Sequence, residues 1–181
     1  KAQQTEESPV GVEVLGQLVE NADIAARDRV PICQDTGLAV FFVELGQDVH
    51  LVGGDFEEAV DEGVRQGYLD GYLRKSAAEE PAHARRNTKD NTPAIVHTQI
   101  VPGDKVRIVM MAKGGGAENM SSLNMLKPSQ GWAGMADAVV ETVSRAGSNP
   151  CPPVIIGVGI GGTIDAVMLL AKKALLRDVG S

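Results

Sequence analysis

Between Val10 and about Arg27, apolar residues recur at Val14, Leu15, Leu18, Val19 and Ala22, the spacing of one buried helical face. A loop bracketed by Pro31 and Gly37 follows, and then the short β-rich run Leu38–Leu45, which predicts a buried strand. Asp55 with Glu58 forms a capping box that opens a helix reaching to about Ser76. Residues Ala77 to Pro93 are polar and turn-rich. Two further runs, Ala94–Val101 and Lys105–Met111, are joined by Pro102-Gly103-Asp104, and so short a turn predicts an antiparallel hairpin. After Lys113-Gly114-Gly115-Gly116 the pattern turns helical over Ala117–Leu126 and again from about Trp132 to Ala146, stopping at Gly147. Val154–Val158 reads as a buried strand and Thr163–Arg177 as a final helix. The expected fold is α/β (α+β mixed): one domain over residues 1–181, a mixed β-sheet with an antiparallel hairpin, flanked by helices.

Composition narrows the classes. The chain has 181 residues, 43% hydrophobic and 23% charged, but aromatics are only 3%. Its core must therefore be built from Val, Ile, Leu, Ala and Met, and the apolar content is too high for a disordered chain. Two cysteines exclude a disulfide-stapled secreted scaffold. A net charge of −7 repels phosphate backbones and argues against nucleic acid as a partner. Apolar stretches such as Leu38–Val43 fall far short of the ~20 residues of a membrane-spanning helix. The polar start, Lys1 to Glu7, lacks the apolar region of a signal peptide, so a cytoplasmic, reducing compartment is expected. The missing initiator Met suggests a start inside a longer gene product.

Three loops carry candidate chemistry. In Ile32-Cys33-Gln34-Asp35-Thr36-Gly37 a thiol, an amide, a carboxyl and a hydroxyl stand in succession before a strand. A metal-bound Cys33 thiolate would let Asp35 act beside it as acid or base. Taken alone, the loop reads more simply as a buried Cys in a turn, with Asp35 bonding to its own backbone. In Lys113-Gly114-Gly115-Gly116-Ala117-Glu118-Asn119, three glycines let the backbone approach an anion, and Lys113 would add charge. No Gly-Lys-Ser/Thr follows, so this is not a phosphate-binding P-loop; a flexible turn is the alternative.

The third loop, Gly157-Val158-Gly159-Ile160-Gly161-Gly162, formally matches the dinucleotide G-x-G-x-x-G pattern. That fold needs further parallel strands, and Ala171–Arg177 still reads as helix just before the sequence stops at Ser181, so a nicotinamide site is disfavoured. His50, His83 and His97 are scattered without zinc-ligand spacing, and His97 reads as structural. Cys33 and Cys151 are too far apart in sequence for a CxxC site, yet each lies in a Pro-flanked loop beside a strand, where sites are assembled.

In order, the chain presents Cys33-Gln34-Asp35-Thr36-Gly37, Leu73-Arg74-Lys75-Ser76, Asn87-Thr88-Lys89-Asp90-Asn91-Thr92-Pro93, Lys113 to Asn119, Cys151-Pro152-Pro153, and Gly157 to Thr163 followed by Ala171 to Leu175. Each motif alone is weak; six in this order are specific. The set resembles the alpha subunit, or N-terminal region, of class I fumarate hydratases and the related L-tartrate dehydratases, from about Val10 to Arg177.

That resemblance implies an oxygen-sensitive 4Fe-4S cluster held by three cysteines, with one iron open as a Lewis acid for reversible hydration of the small dicarboxylate fumarate to malate. It implies Cys33 and Cys151 as two ligands, Asp35 as the acid/base group and Gln34 as a substrate contact. Arg74 would hold a substrate carboxylate, a task suited to a planar guanidinium. Gly116 would offer its backbone to the substrate, and Asn87, Asp90 and Asn91 shape a loop. The chain departs from the family in lacking a third cysteine, expected beyond its end. A beta subunit or C-terminal domain is the implied partner, in an oligomeric enzyme, and the fragment alone is expected to be inactive. L-Tartrate as substrate, or a non-catalytic anion-binding or assembly domain, remain the alternatives.

Overall fold

The computed structural model describes residues 1–33 and 35–178. Helices α1 (Ala2–Thr5) and α2 (Pro9–Asp28) precede strand β1 (Leu38–Gly46) and helix α3 (Phe56–Asp70). Strands β2 (Ile95–Val101) and β3 (Val106–Lys113) follow, then the single-turn α4 (Gly115–Asn119). A 3-10 turn (Pro128–Gln130) leads into α5 (Gly131–Ala146), and α6 (Ile164–Ala174) is the last helix.

The expected mixed sheet is present, in the order β2-β1-β3. Its central strand β1 pairs in parallel with β2, from Val40 opposite Ile95 to Gly46 opposite Val101. It pairs antiparallel with β3, from Leu38 opposite Lys113 to Leu45 opposite Val106. The expected hairpin is corrected: β2 and β3 run in opposite directions, but β1 lies between them. A short turn dictates that two strands reverse direction, not that they are neighbours. The 102–105 link instead wraps the end of β1, with the Gly46 amide donating to the Lys105 carbonyl at 2.9 Å and the Asp48 amide to the Gly103 carbonyl at 2.9 Å. A Cβ on Gly46 would lie 2.4 Å from the Gly103 carbonyl oxygen, so only glycine admits this crossing. Hydrophobicity selects the centre, since β1 holds the buried Ala39, Val40, Phe42 and Val43 whereas β2 and β3 have no buried residue.

Alternation along β1 sends Ala39 and Phe41 to one face, where Val64 and Tyr68 of α3 pack with Leu73 and Ala94. Asp55 caps α3 by accepting from the Glu58 amide at 2.9 Å, as expected, but the helix ends at Asp70 rather than near Ser76. On the opposite face Phe42 stacks on His97 with ring centroids 5.3 Å apart, consistent with a structural His97. A groove of about 470 Å³ there is lined by strand residues and by Leu169 and Lys173 of α6.

Two expectations about burial differ. Helix α2 forms, capped by Ser8 and started by Pro9, yet it has no buried residue, and Val14 and Val19 are exposed. Periodicity identifies which face a helix would bury, not which neighbour covers it. The expected strand Val154–Val158 has no ladder partner among the described residues. Its glycine-rich continuation lies on α6 instead: Cβ atoms on Gly157 and Gly159 would fall 2.2 Å from the Ala171 carbonyl and 2.3 Å from the Val167 carbonyl. The G-x-G pattern thus serves close packing of extended chain on a helix. The helix expected over Ala117–Leu126 shrinks to α4. No helix among the described residues is long and apolar enough to cross a membrane.

Candidate active site

Asp35 stands three residues before β1, the central and most buried strand of the sheet. Its carboxylate does not turn back on its own backbone, as the loop alone suggested. Oδ2 accepts from the Gly115 amide at 3.2 Å and Oδ1 from the Ser76 hydroxyl at 3.3 Å, contacts that span 80 and 41 residues. Its own amide donates to Cys33 Sγ at 3.4 Å. The anion held at the glycine loop is therefore a side chain of the protein itself.

Glycine makes this junction possible. A Cβ on Gly37 would lie 2.0 Å from the Lys113 carbonyl oxygen, so the loop before β1 rests directly on the end of β3. Gly37 has φ +78, a second reason for its identity. Gly116 faces the other way, and its Cβ would lie 2.5 Å from the Asn149 carbonyl oxygen. Asn149 stands two residues before Cys151, whose φ of 57 places it in the left-handed region that non-glycine residues rarely occupy. The Cys33–Asp35 loop, the glycine loop and the Cys151 loop are thus contiguous through Gly115 and Gly116. Cys33 is half-buried and Cys151 exposed.

The segment bearing Arg74 is joined to the same centre. Arg74 is exposed and makes no ion pair among the described residues. Two residues on, Ser76 touches Asp35, and the Lys75 carbonyl accepts from Asn87 Nδ2 at 2.9 Å. Below them lies a buried polar knot. Asn91 is 1% exposed; its Oδ1 accepts from the Ser76 amide at 2.7 Å and the Ala77 amide at 3.0 Å, and its Nδ2 donates to the Gly37 carbonyl at 3.1 Å. The Tyr68 hydroxyl donates to that same carbonyl at 3.1 Å. Burial pushes the Tyr68 hydroxyl above its ordinary pKa. Asp90 accepts from the Thr92 amide and hydroxyl and from Arg65, which fixes the turn beside Asn91.

Lys113 is not open to an external anion, contrary to the expectation from its loop. Glu118 lies 3.5 Å from it through Oε2 and 2.7 Å from Lys172 Nζ through Oε1. Burial pushes the Glu118 carboxyl up, but the bond and charge of Lys172, with Lys113, outweigh it and leave the carboxyl below its usual range. Lys113 shares this one carboxylate with a second cation, so burial prevails there and lowers its pKa. Burial, with Lys172 and Lys173 nearby, likewise lowers His97.

Sequence reasoning picked out Cys33, Asp35, Arg74, Gly116 and Cys151, and their loops adjoin as described. Gln34 lies outside the described residues. Asn91 was expected only to shape a loop, and Ser76 and Tyr68 were assigned no role; neither a polar residue in a turn-rich stretch nor a tyrosine on a helix carries a mark of the contacts it makes on burial. The donor chemistry fits an iron–sulfur group in part. Two thiols sit on contiguous loops, and the Thr36 hydroxyl, three residues after Cys33, is buried and lacks a hydrogen-bond partner among the described residues. A three-cysteine cluster needs one more thiolate than this chain contains, and no group of three metal-ligating side chains occurs among the described residues.

Known proteins match this sequence along nearly all of its length. The chain is 37% identical over 184 residues to the "Putative L(+)-tartrate dehydratase subunit alpha" of Methanocaldococcus jannaschii, covering 99% of this chain and 65% of that protein. It is 31% identical over 178 residues to the L(+)-tartrate dehydratase subunit alpha of Escherichia coli O157:H7 and to that of strain K12, covering 97% of this chain and 58% of each. The chain thus spans about three-fifths of the length of these curated relatives. The family described as fumarate hydratase (Fumerase) matches residues 1–181, including every loop described above. By that match and by its relatives, the chain belongs to the fumarate hydratase (Fumerase) family.

Proposed function

We propose that this chain forms part of an iron–sulfur hydro-lyase that adds water reversibly across the double bond of fumarate to give malate. The observation that carries the reading is the seat of Asp35. Its carboxylate is held by the Gly115 amide and the Ser76 hydroxyl, while its own amide reaches Cys33 Sγ. A carboxylate and a sulfur therefore stand side by side just before the central strand, which supports reading them as an acid/base group and a cluster ligand.

Cys33 and Cys151 would hold two irons of a 4Fe-4S cluster, which when bound supplies a Lewis-acidic iron for the hydroxyl that leaves or adds. Asp35 keeps unused lone pairs on both carboxylate oxygens, where it can take or return the proton on the carbon beside a substrate carboxylate. Arg74, uncommitted to any ion pair among the described residues, is suited to grip a substrate carboxylate with two parallel N–H bonds. Gln34 and the Gly116 backbone complete the proposed substrate contacts. The third thiolate and further basic groups would come from outside these 181 residues, together with a beta subunit or C-terminal domain. The chain by itself is accordingly expected to be inactive.

L(+)-Tartrate is the second reading of the substrate, favoured by the names of the relatives. The two share a pair of carboxylates and a leaving hydroxyl. The test is anaerobic reconstitution of the full-length subunit and its partner with iron and sulfide, followed by rates on fumarate, mesaconate and L(+)-tartrate. Fastest turnover of fumarate supports the first reading, and fastest turnover of L(+)-tartrate replaces it with the second. No turnover of any of the three by an iron-loaded assembly overturns both.

A further inference from the structure

We propose that Asn91 is a positioning residue that sets Asp35 against the segment carrying Arg74, an inference that rests on the hydro-lyase reading above. Asn91 is the buried polar residue at the centre of the knot, at 1% exposure. Its side chain grips the main chain on both sides of the Ser76–Asp35 hydrogen bond. On one side Oδ1 holds the amides of Ser76 and Ala77 at 2.7 and 3.0 Å. On the other, Nδ2 holds the carbonyl of Gly37, two residues past Asp35, at 3.1 Å. Both lone pairs and one donor of the amide are used, so no other side chain of this size makes the same set.

The backbone agrees with that choice. Asn91 has φ 66, a conformation that asparagine tolerates and β-branched residues do not. Residues 74–77 belong to no helix or regular strand, and Asn91 substitutes for the missing ladder by accepting two of their amides. Ser76 then presents its hydroxyl to Asp35 from an anchored backbone, and Arg74 departs from the same anchor. Tyr68 adds a second donor to the Gly37 carbonyl, which leaves Asn91 as the part of the knot that reaches both segments.

The test uses the reconstituted full-length assembly with fumarate and with L(+)-tartrate, and the variants Asn91→Asp, Asn91→Gly, Ser76→Ala and Asn91→Asp/Ser76→Ala. Asn91→Asp is isosteric, keeps the acceptor for Ser76 and Ala77, and sets an oxygen of an ionisable carboxyl against the Gly37 carbonyl in place of the donor; Asn91→Gly keeps the backbone conformation accessible and loses all three bonds. Asn91→Asp and Ser76→Ala should each lower kcat about tenfold, because a small misplacement of a reacting group costs at least this much. The double variant should lose well over a hundredfold, since the two changes sever the two parallel links between these segments and each single variant keeps one of them. A purely structural role would make the losses multiply to about a hundredfold, and that result overturns the proposal, as does an unchanged kcat in Asn91→Asp. Hydrogen exchange gives a readout independent of turnover: the Ser76 and Ala77 amides should exchange at least about tenfold faster in Asn91→Gly. Unchanged exchange there overturns the proposal even if the wild-type assembly turns over neither substrate, an outcome that by itself would sink only the hydro-lyase reading.

Discussion

Lys172 Nζ lies 2.7 Å from Glu118 Oε1, and this contact ties the last helix to the single turn that follows the glycine loop. Glu118 also faces Lys113 at the end of β3, so one carboxylate joins three elements. The Lys113 and Lys172 side chains are 12% and 22% exposed, which leaves them poorly solvated if the carboxylate is lost. Glu118→Gln is expected to destabilise the full-length subunit by about 2 kcal/mol, less than the ~3–5 kcal/mol of a fully buried pair. The urea midpoint of unfolding measures it; an unchanged midpoint would show that the tie contributes nothing.

Glycines of one chain should respond in opposite directions. Gly116→Ala pushes a methyl group to 2.5 Å from the Asn149 carbonyl, a backbone atom that can move only with the Cys151 loop. A loss of about 1–3 kcal/mol is expected, as for other overpacked positions. Gly63→Ala, in the middle of α3 with nothing within 4 Å of the new Cβ, should instead stabilise by about 0.5–1 kcal/mol. Thermal unfolding of the two variants beside wild type decides the matter, and equal shifts would contradict it.

Much of this was legible in the chain. The central strand, the Asp55 cap and the helix from Gly131 announced themselves through apolar runs, a cap residue and 3.6-residue spacing. Strand neighbours did not, because Pro102-Gly103-Asp104 specifies a reversal and says nothing about β1 entering between the two strands. Cys33, Asp35 and Gly116 stood out because thiol, carboxylate and clustered glycine are chemically conspicuous. Asn91 was legible only as a loop former; its grip on two segments was not, since it depends on Ser76, Ala77 and Gly37 arriving around it, and that is a property of the packed chain. Helix α2 marks the other limit: its apolar positions are real, but Val14 and Val19 stay about half exposed.

Acid should weaken the turn beside Asn91 in a defined window. The Thr92 amide and hydroxyl, with Arg65, hold the Asp90 carboxyl at about 2, below the ordinary ~4 of an aspartate. A carboxyl depressed in the folded state contributes stability that is complete above its unfolded pKa and lost as pH falls through the folded one. Asp90→Asn should therefore be less stable than wild type at neutral pH. The gap should close between about pH 4 and pH 2. Urea midpoints taken across this range would contradict the account if the gap persisted at pH 2.

Replacing the thiols tests the proposed ligand set apart from turnover. Cys33→Ser and Cys151→Ser should each lower the bound iron and sulfide of the reconstituted assembly and abolish hydration, while leaving subunit assembly intact. Activity equal to wild type in both variants would instead favour a non-catalytic role for these loops.

The most direct test of the central claim is the turnover of an Asp35→Asn assembly whose iron and sulfide contents equal those of wild type. Asparagine preserves the shape of the carboxylate held by Gly115 and Ser76 but removes its capacity to carry a proton at neutral pH. A fall in kcat of about 10²–10⁴-fold is expected for the loss of a general acid/base. Retention of wild-type kcat at full iron loading would contradict the account.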